Sequence, residues 1–125
     1  EKKSPPAGWL VRNSTGCNAV HALMQYAIFP NPGKLKLAVP FLVVIQNKHI
    51  TDYTGAAVVI PLRTDIEPVP IMAPQVEVPG YGAMVLSAAE IFTIDRTRLK
   101  NPVGSLGFED RAKIRPAIDK VIGEY

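Results

Sequence analysis

Hydrophobic positions are densest between residues 40 and 62, PFLVVIQNKHITDYTGAAVVIPL, where two apolar runs flank a polar connector that opens with Gln46. The runs, 41 to 45 and 56 to 62, are short, rich in β-branched residues and bounded by turn formers, which is the pattern of strands. Neither alternates apolar with polar, so neither has a wet face. Adjacent strands buried on both sides suit a small closed or strongly coiled sheet better than a flat one facing solvent.

The rest of the chain extends this reading. A strand is predicted at about 25 to 29, a loop through Asn31-Pro32-Gly33, and strands at about 40 to 46 and 56 to 62. Pro68, Pro70 and Pro74 predict an extended crossing over 66 to 74. Residues 75 to 78 and 81 to 87 flank Pro79-Gly80 as a hairpin. A short strand is expected at 92 to 94 and a break at Asn101-Pro102. Near the C-terminus the period changes: Ile114, Ile118, Val121 and Ile122 recur on one helical face, while Lys113, Arg115, Asp119 and Lys120 lie largely off it. Glu109 and Lys113 have the favourable i, i+4 order. Pro116 means that the helix either starts near it or kinks there. The expected fold is mainly β, a small barrel with a C-terminal amphipathic helix.

A length of 125 residues fits one domain that folds without disulfides or a structural metal. No apolar run reaches the roughly 18 residues of a membrane span. The single cysteine, Cys17, excludes an internal disulfide and a multi-cysteine zinc site; it points to a reducing, cytoplasmic setting. In that setting Asn13-Ser14-Thr15 matches a glycosylation sequon by chance. The net charge of +3 permits an acidic partner without requiring one. Seven of the 14 basic residues lie between Arg96 and Lys120, but Asp95, Glu109, Asp110 and Asp119 dilute them. That mixture reads as a solvated surface, and no sequence-specific nucleic-acid contact is expected from it.

Residues 1 to 23 carry Pro5-Pro6, Gly8 and Gly16 with no clear period, and read as a leader outside the main fold. Prolines directly after Lys2 and Lys3 argue against a signal peptide. Met24 has the look of a natural start, so 1 to 23 are expected to be upstream coding sequence or an artificial addition, and 24 to 125 the domain.

Several stretches, in order, resemble the CcdB family of toxins from bacterial toxin–antitoxin modules. They are the MQY start at Met24, Pro40-Phe41-Leu42-Val43 with Val44-Ile45-Gln46, and Val58-Val59-Ile60-Pro61-Leu62. The VEV-turn-YGAMVL hairpin follows, then Val103-Gly104-Ser105-Leu106, and the Ile114, Ala117, Ile118, Asp119 helix with Gly123. The resemblance implies an SH3-like β-barrel, a homodimer and a CcdA-like antitoxin. It also implies poisoning of DNA gyrase through contacts of the helix end with the gyrase A subunit. The residues carried over to that contact are Ile122, Gly123, Glu124 and Tyr125. Gly123 fits the family's terminal pattern, whereas Ile122 stands where plasmid-type toxins have tryptophan and Glu124 where they end in isoleucine. Tyr125 offers a replacement aromatic anchor. Lys48 stands where an acidic residue is usual. By this reading the protein acts by binding and is not an enzyme, without cofactor or metal.

The same superfamily includes MazF-like ribonucleases, which implies metal-independent RNA cleavage as the alternative. Arg63-Thr64, just past the 56 to 62 run, is the local candidate: an arginine to stabilise phosphorane charge and a hydroxyl to position phosphate. The pair also reads as a polar strand exit, since Lys34 and Lys36, not an arginine, precede the 41 to 45 run. An inactive or retargeted barrel that only binds an antitoxin is a further alternative. A Ser-His-Asp triad would rest on His49 with Asp52 and a distant serine such as Ser87, but His49 reads as a solvated connector histidine and not as a general base. A metal site from His49, Asp52 and one other carboxylate has no supporting spacing motif. Gly104, Ser105 and Gly107 lack the lysine of a phosphate loop, and read as turns.

Overall fold

The computed structural model describes residues 24–123. The leader expected at 1 to 23, and Glu124 and Tyr125 at the other end, lie outside the described residues. In chain order the elements are β1 (Ala27–Pro30), β2 (Phe41–Val44), α1 (Lys48–Thr54), β3 (Ala56–Arg63), β4 (Gln75–Val78) and β5 (Gly82–Leu86). They continue with β6 (Phe92–Asp95), β7 (Gly104–Ser105), α2 (Phe108–Arg111) and α3 (Ile114–Ile122). The antiparallel strands run in the order β4-β5-β3-β2-β1-β7, with β6 also on β3. The result is a nearly closed six-stranded barrel with a C-terminal helix, as the pattern predicted.

The two apolar runs are strands buried on both faces. β2 pairs with β3 through Phe41–Leu62, Leu42–Pro61, Val43–Ile60 and Val44–Val59. Side chains alternate across a strand, so Phe41, Val43, Ile60 and Leu62 point into the barrel with Ile28, Val78, Leu86 and Leu106. Leu42, Val44 and Val59 point the other way, into a second core with Phe29, Val39, Ile94 and Leu99. β6 covers this outer face by pairing with the first half of β3, Ala56–Asp95 to Val59–Phe92.

The polar connector after β2 is a helix, an element the pattern did not predict. Asn47 caps α1, its side chain accepting the His49 N–H at 2.8 Å. Gly55 ends it at φ 74°, where a residue without Cβ is unstrained, and returns its N–H to Thr51 O at 3.0 Å. Gln46 Nε2 donates to Thr51 Oγ1 (3.0 Å) and to the Ala56 carbonyl (2.7 Å), fixing α1 to the start of β3. The first strand is also shorter than expected. Tyr26 has φ 75°, which breaks extended backbone, so pairing begins at Ala27.

The barrel closes without a complete hydrogen-bond ladder. Gly104 of β7 lies so close to Pro79, after β4, that a Cβ there would come within 3.0 Å of Pro79 Cγ. Beside it the edge of β4 is satisfied by side chains: Asp110 accepts the Glu77 N–H at 2.8 Å, and Lys113 Nζ donates to the Gln75 carbonyl at 2.8 Å. Gly104 and Ser105, read as turn residues, pair with Ile28 and Ala27 instead. Gly107 precedes α2. α3 begins at Ile114, which places Pro116 in the first turn, where its missing N–H would have no intrahelical partner in any case. Ile114 and Ala117 bury the helix on the barrel. Among the described residues no helix is long and apolar enough to cross a membrane.

Candidate active-site cleft at the partner switch of β3

β3 changes neighbour midway. Ala56 to Val59 face β6, while Leu62 and Arg63 face β5. Pro61 lies in the gap, and the carbonyl of Pro61 accepts the Ser87 N–H at 3.0 Å. The N–H and C=O of one strand residue point to the same side, so the hydrogen that proline lacks falls where the ladder is already interrupted. β5 and β6 part here around a 3-10 turn, Ala88–Glu90.

The divergence opens a cleft of about 320 Å³. Its floor is apolar, formed by Leu42, Pro61 and Ile94, an outward continuation of the second core. One wall is the loop between β1 and β2. Asn31 pins that loop at its base: Nδ2 donates to the Val39 carbonyl and Oδ1 accepts the Gly33 N–H, both at 2.8 Å. The other wall carries Glu90 and Phe92, and Lys34, Arg63 and Arg98 line the opening.

Arg63 shares the outer face with Pro61, two residues before it. Its Nε and Nη2 donate in parallel to the two oxygens of Asp65, each at 2.8 Å. Its Nη1 donates to both oxygens of Glu90, at 2.8 and 2.9 Å. These carboxylates, Asp65 first, raise the guanidinium pKa above its ordinary value, and Arg63 in turn lowers that of Asp65. Glu90 Oε1 also accepts the Ser87 hydroxyl at 2.7 Å. The cleft thus holds a fixed cation against a carboxylate still open to solvent.

Of the sequence-predicted pair only Arg63 lines this cleft. Thr64 is instead tied to the β1–β2 loop, its hydroxyl donating to the Leu37 carbonyl at 3.0 Å and its N–H to that of Ala38. His49, Asp52 and Ser87 are not brought together: Asp52 pairs with Lys48 at 2.7 Å, and Ser87 donates to Glu90. Ile122 is 70% exposed at the end of α3, and the Gly123 N–H caps the Asp119 carbonyl at 2.7 Å. Sequence reasoning missed Glu90, Phe92 and Arg98. The Ser87-Ala88-Ala89-Glu90 spacing, a Ser-x-x-Glu capping pattern, was the available signal for Glu90.

The model of the CcdB protein family matches residues 25–123. The chain belongs to the CcdB family. In sequence, no curated protein matches it. In structure, it is similar to an endoribonuclease bound to its cognate antitoxin from a Mycobacterial species, with TM-score 0.66 and 17% identity, over 82% of this chain and 96% of that one. A second Mycobacterial endoribonuclease matches with TM-score 0.61 and 18% identity, over 82% and 92% of the two chains. MazE-MazF from Deinococcus radiodurans matches with TM-score 0.61 and 16% identity, over 81% and 94%. This CcdB-family chain therefore has the fold of the toxin–antitoxin barrels. The expectation that it is not an enzyme is corrected by the same finding, since the solved structures with its fold include endoribonucleases.

Proposed function

We propose that this CcdB-family toxin is an endoribonuclease of a toxin–antitoxin module, and that the cleft beside Pro61 is its active site. The observation that carries the reading is the contact of Arg63 Nη1 with both oxygens of Glu90 on the cleft wall. RNA cleavage by internal transfer needs a proton acceptor for the 2′-hydroxyl and a cation for the phosphorane, and this pair supplies both. Glu90 takes the 2′-hydroxyl proton, the 2′ oxygen bonds to the adjacent phosphorus, and Arg63 stabilises the added negative charge. The bond from phosphorus to the 5′ oxygen then breaks, and that oxygen takes a proton from water entering the open cleft. The products are a 2′,3′-cyclic phosphate and a 5′-hydroxyl. No step requires a metal.

The similarity to endoribonucleases, one of them bound to its antitoxin, supports this reading and an antitoxin partner for this chain. Family membership supports a homodimer acting in the cytoplasm, with 24 to 125 as the toxin domain. It also supports a second reading, in which the end of α3 binds the gyrase A subunit through Ile122, Gly123, Glu124 and Tyr125; the exposure of Ile122 favours that contact.

The test is incubation of the purified full chain with a long single-stranded RNA in EDTA, with the fragment ends mapped. Cleavage leaving cyclic phosphate ends, abolished by Glu90→Gln and Arg63→Ala variants that keep the wild-type circular dichroism spectrum, is expected. Intact RNA, or undiminished cleavage by both variants, would overturn the proposal.

A further inference from the structure

We infer that the same cleft contains a base-stacking subsite on Phe92, which restricts the protein to unpaired RNA; this rests on the ribonuclease reading above. Phe92 is a large aromatic side chain left 42% exposed, although Ile94, two residues on and on the same strand face, is almost fully buried. The register explains the difference. Phe92 pairs with Val59, the last β3 residue before the partner switch, so its ring stands where neighbouring strands no longer cover it.

The surroundings match one nucleotide unit in both chemistry and size. An apolar floor of Leu42, Pro61 and Ile94 lies beside the ring, and Lys34 and Arg98 line the same cleft. Neither cation forms a salt bridge among the described residues. An aromatic face for the base with nearby cations for the phosphate is how proteins hold single strands without reading sequence. A volume of about 320 Å³ is near the lower end of small-ligand sites. It admits a splayed base, whereas in a duplex the base faces are already covered by stacking.

Binding is measured by fluorescence anisotropy of a labelled, fully 2′-O-methylated seven-nucleotide RNA of mixed sequence, which cannot be cleaved. Phe92→Ala is expected to weaken binding about 5- to 150-fold, the equivalent of the roughly 1–3 kcal/mol lost per stacked base on alanine substitution. Phe92→Tyr should retain binding, and Phe92→Leu, which keeps apolar bulk without a π face, should not. Lys34→Ala and Arg98→Ala should each reduce the salt slope by about 0.7. Annealing the probe to its complement should remove Phe92-dependent binding.

Equal affinity of wild type and Phe92→Ala, or equal binding of the duplex, would overturn the subsite. So would displacement of the probe by polyglutamate together with Phe92-dependent binding of that peptide, an outcome assigning the cleft to an acidic protein segment. Cleavage by wild type with Phe92-independent binding defeats the subsite alone. Phe92-dependent binding without cleavage defeats only the nuclease reading, and absence of both defeats the two together.

Discussion

The carboxylate of Asp110 accepts the backbone N–H of Glu77 at 2.8 Å, so a side chain from α2 takes the place of a neighbouring strand at the open edge of β4. Lys113, paired with Asp110 at 2.9 Å, completes the cap on the Gln75 carbonyl. Asp110 is 15% exposed, and its loss leaves the Glu77 N–H poorly satisfied. Asp110→Ala should therefore cost about 1–3 kcal/mol. Urea denaturation measures the cost, and faster hydrogen exchange at the Glu77 amide locates it.

Burial of β2 on both faces makes a second expectation. Leu42 faces the outer core and Val43 the barrel interior, and both are almost fully buried. Leu42→Ala should destabilise by about 2–5 kcal/mol. Val43→Ala, losing a smaller side chain, should cost about 1.5–3 kcal/mol. An ordinary one-sided strand would tolerate one of the two. Thermal unfolding of both variants decides the point.

These strands were the legible part of the fold, because unbroken β-branched runs between turn formers have few alternatives. The hairpin at Pro79-Gly80 and most of the face of α3 were readable for the same local reason, although Ile122, counted on that face, is exposed and Ala117 is buried in its place. α1 was hidden in KHITDYT, which has no apolar period; its signals were the bounding Asn47 and Gly55. β7 was illegible since two residues have no periodicity and pair only because the barrel brings them to β1. The cleft was less legible still. Arg63 stood out beside a strand end, but Glu90 and Phe92 reach it only through the divergence of β5 and β6, a property of register and not of spacing.

The caps of α1 are testable separately. Gly55→Ala forces a Cβ into the left-handed region and should cost about 1 kcal/mol. Asn47→Ala removes the acceptor of the His49 N–H and should also cost about 1 kcal/mol. Both losses should appear in chemical denaturation, with increased exchange confined to α1.

Acid should act through Asp95. Hydrogen bonds from the Thr97 N–H, and then its hydroxyl, at 2.9 and 2.8 Å, lower the Asp95 pKa below its ordinary value. The unfolded chain, with the ordinary pKa of about 3.9, binds this proton first as pH falls. The contribution of Asp95 is therefore complete above that value and lost as pH falls through the lower folded value. Asp65, lowered by Arg63, follows the same sign. The stability difference between wild type and Asp95→Ala should be constant from pH 7 to 5 and shrink below pH 4 in a series of urea titrations. A gap that widens in acid would contradict this account.

The end of α3 separates the two modes of toxicity. Ile122 is 70% exposed, so Ile122→Ser should change stability by no more than about 0.5 kcal/mol. If the cleft carries the activity, this variant cleaves RNA at the wild-type rate and still arrests growth, whereas Glu90→Gln does neither. If gyrase is engaged through the helix end, Ile122→Ser relieves arrest and Glu90→Gln leaves it intact. The opposite responses arise because Glu90 lies in the cleft between β5 and β6, and Ile122 at the exposed end of a helix seated on the barrel through Ile114 and Ala117.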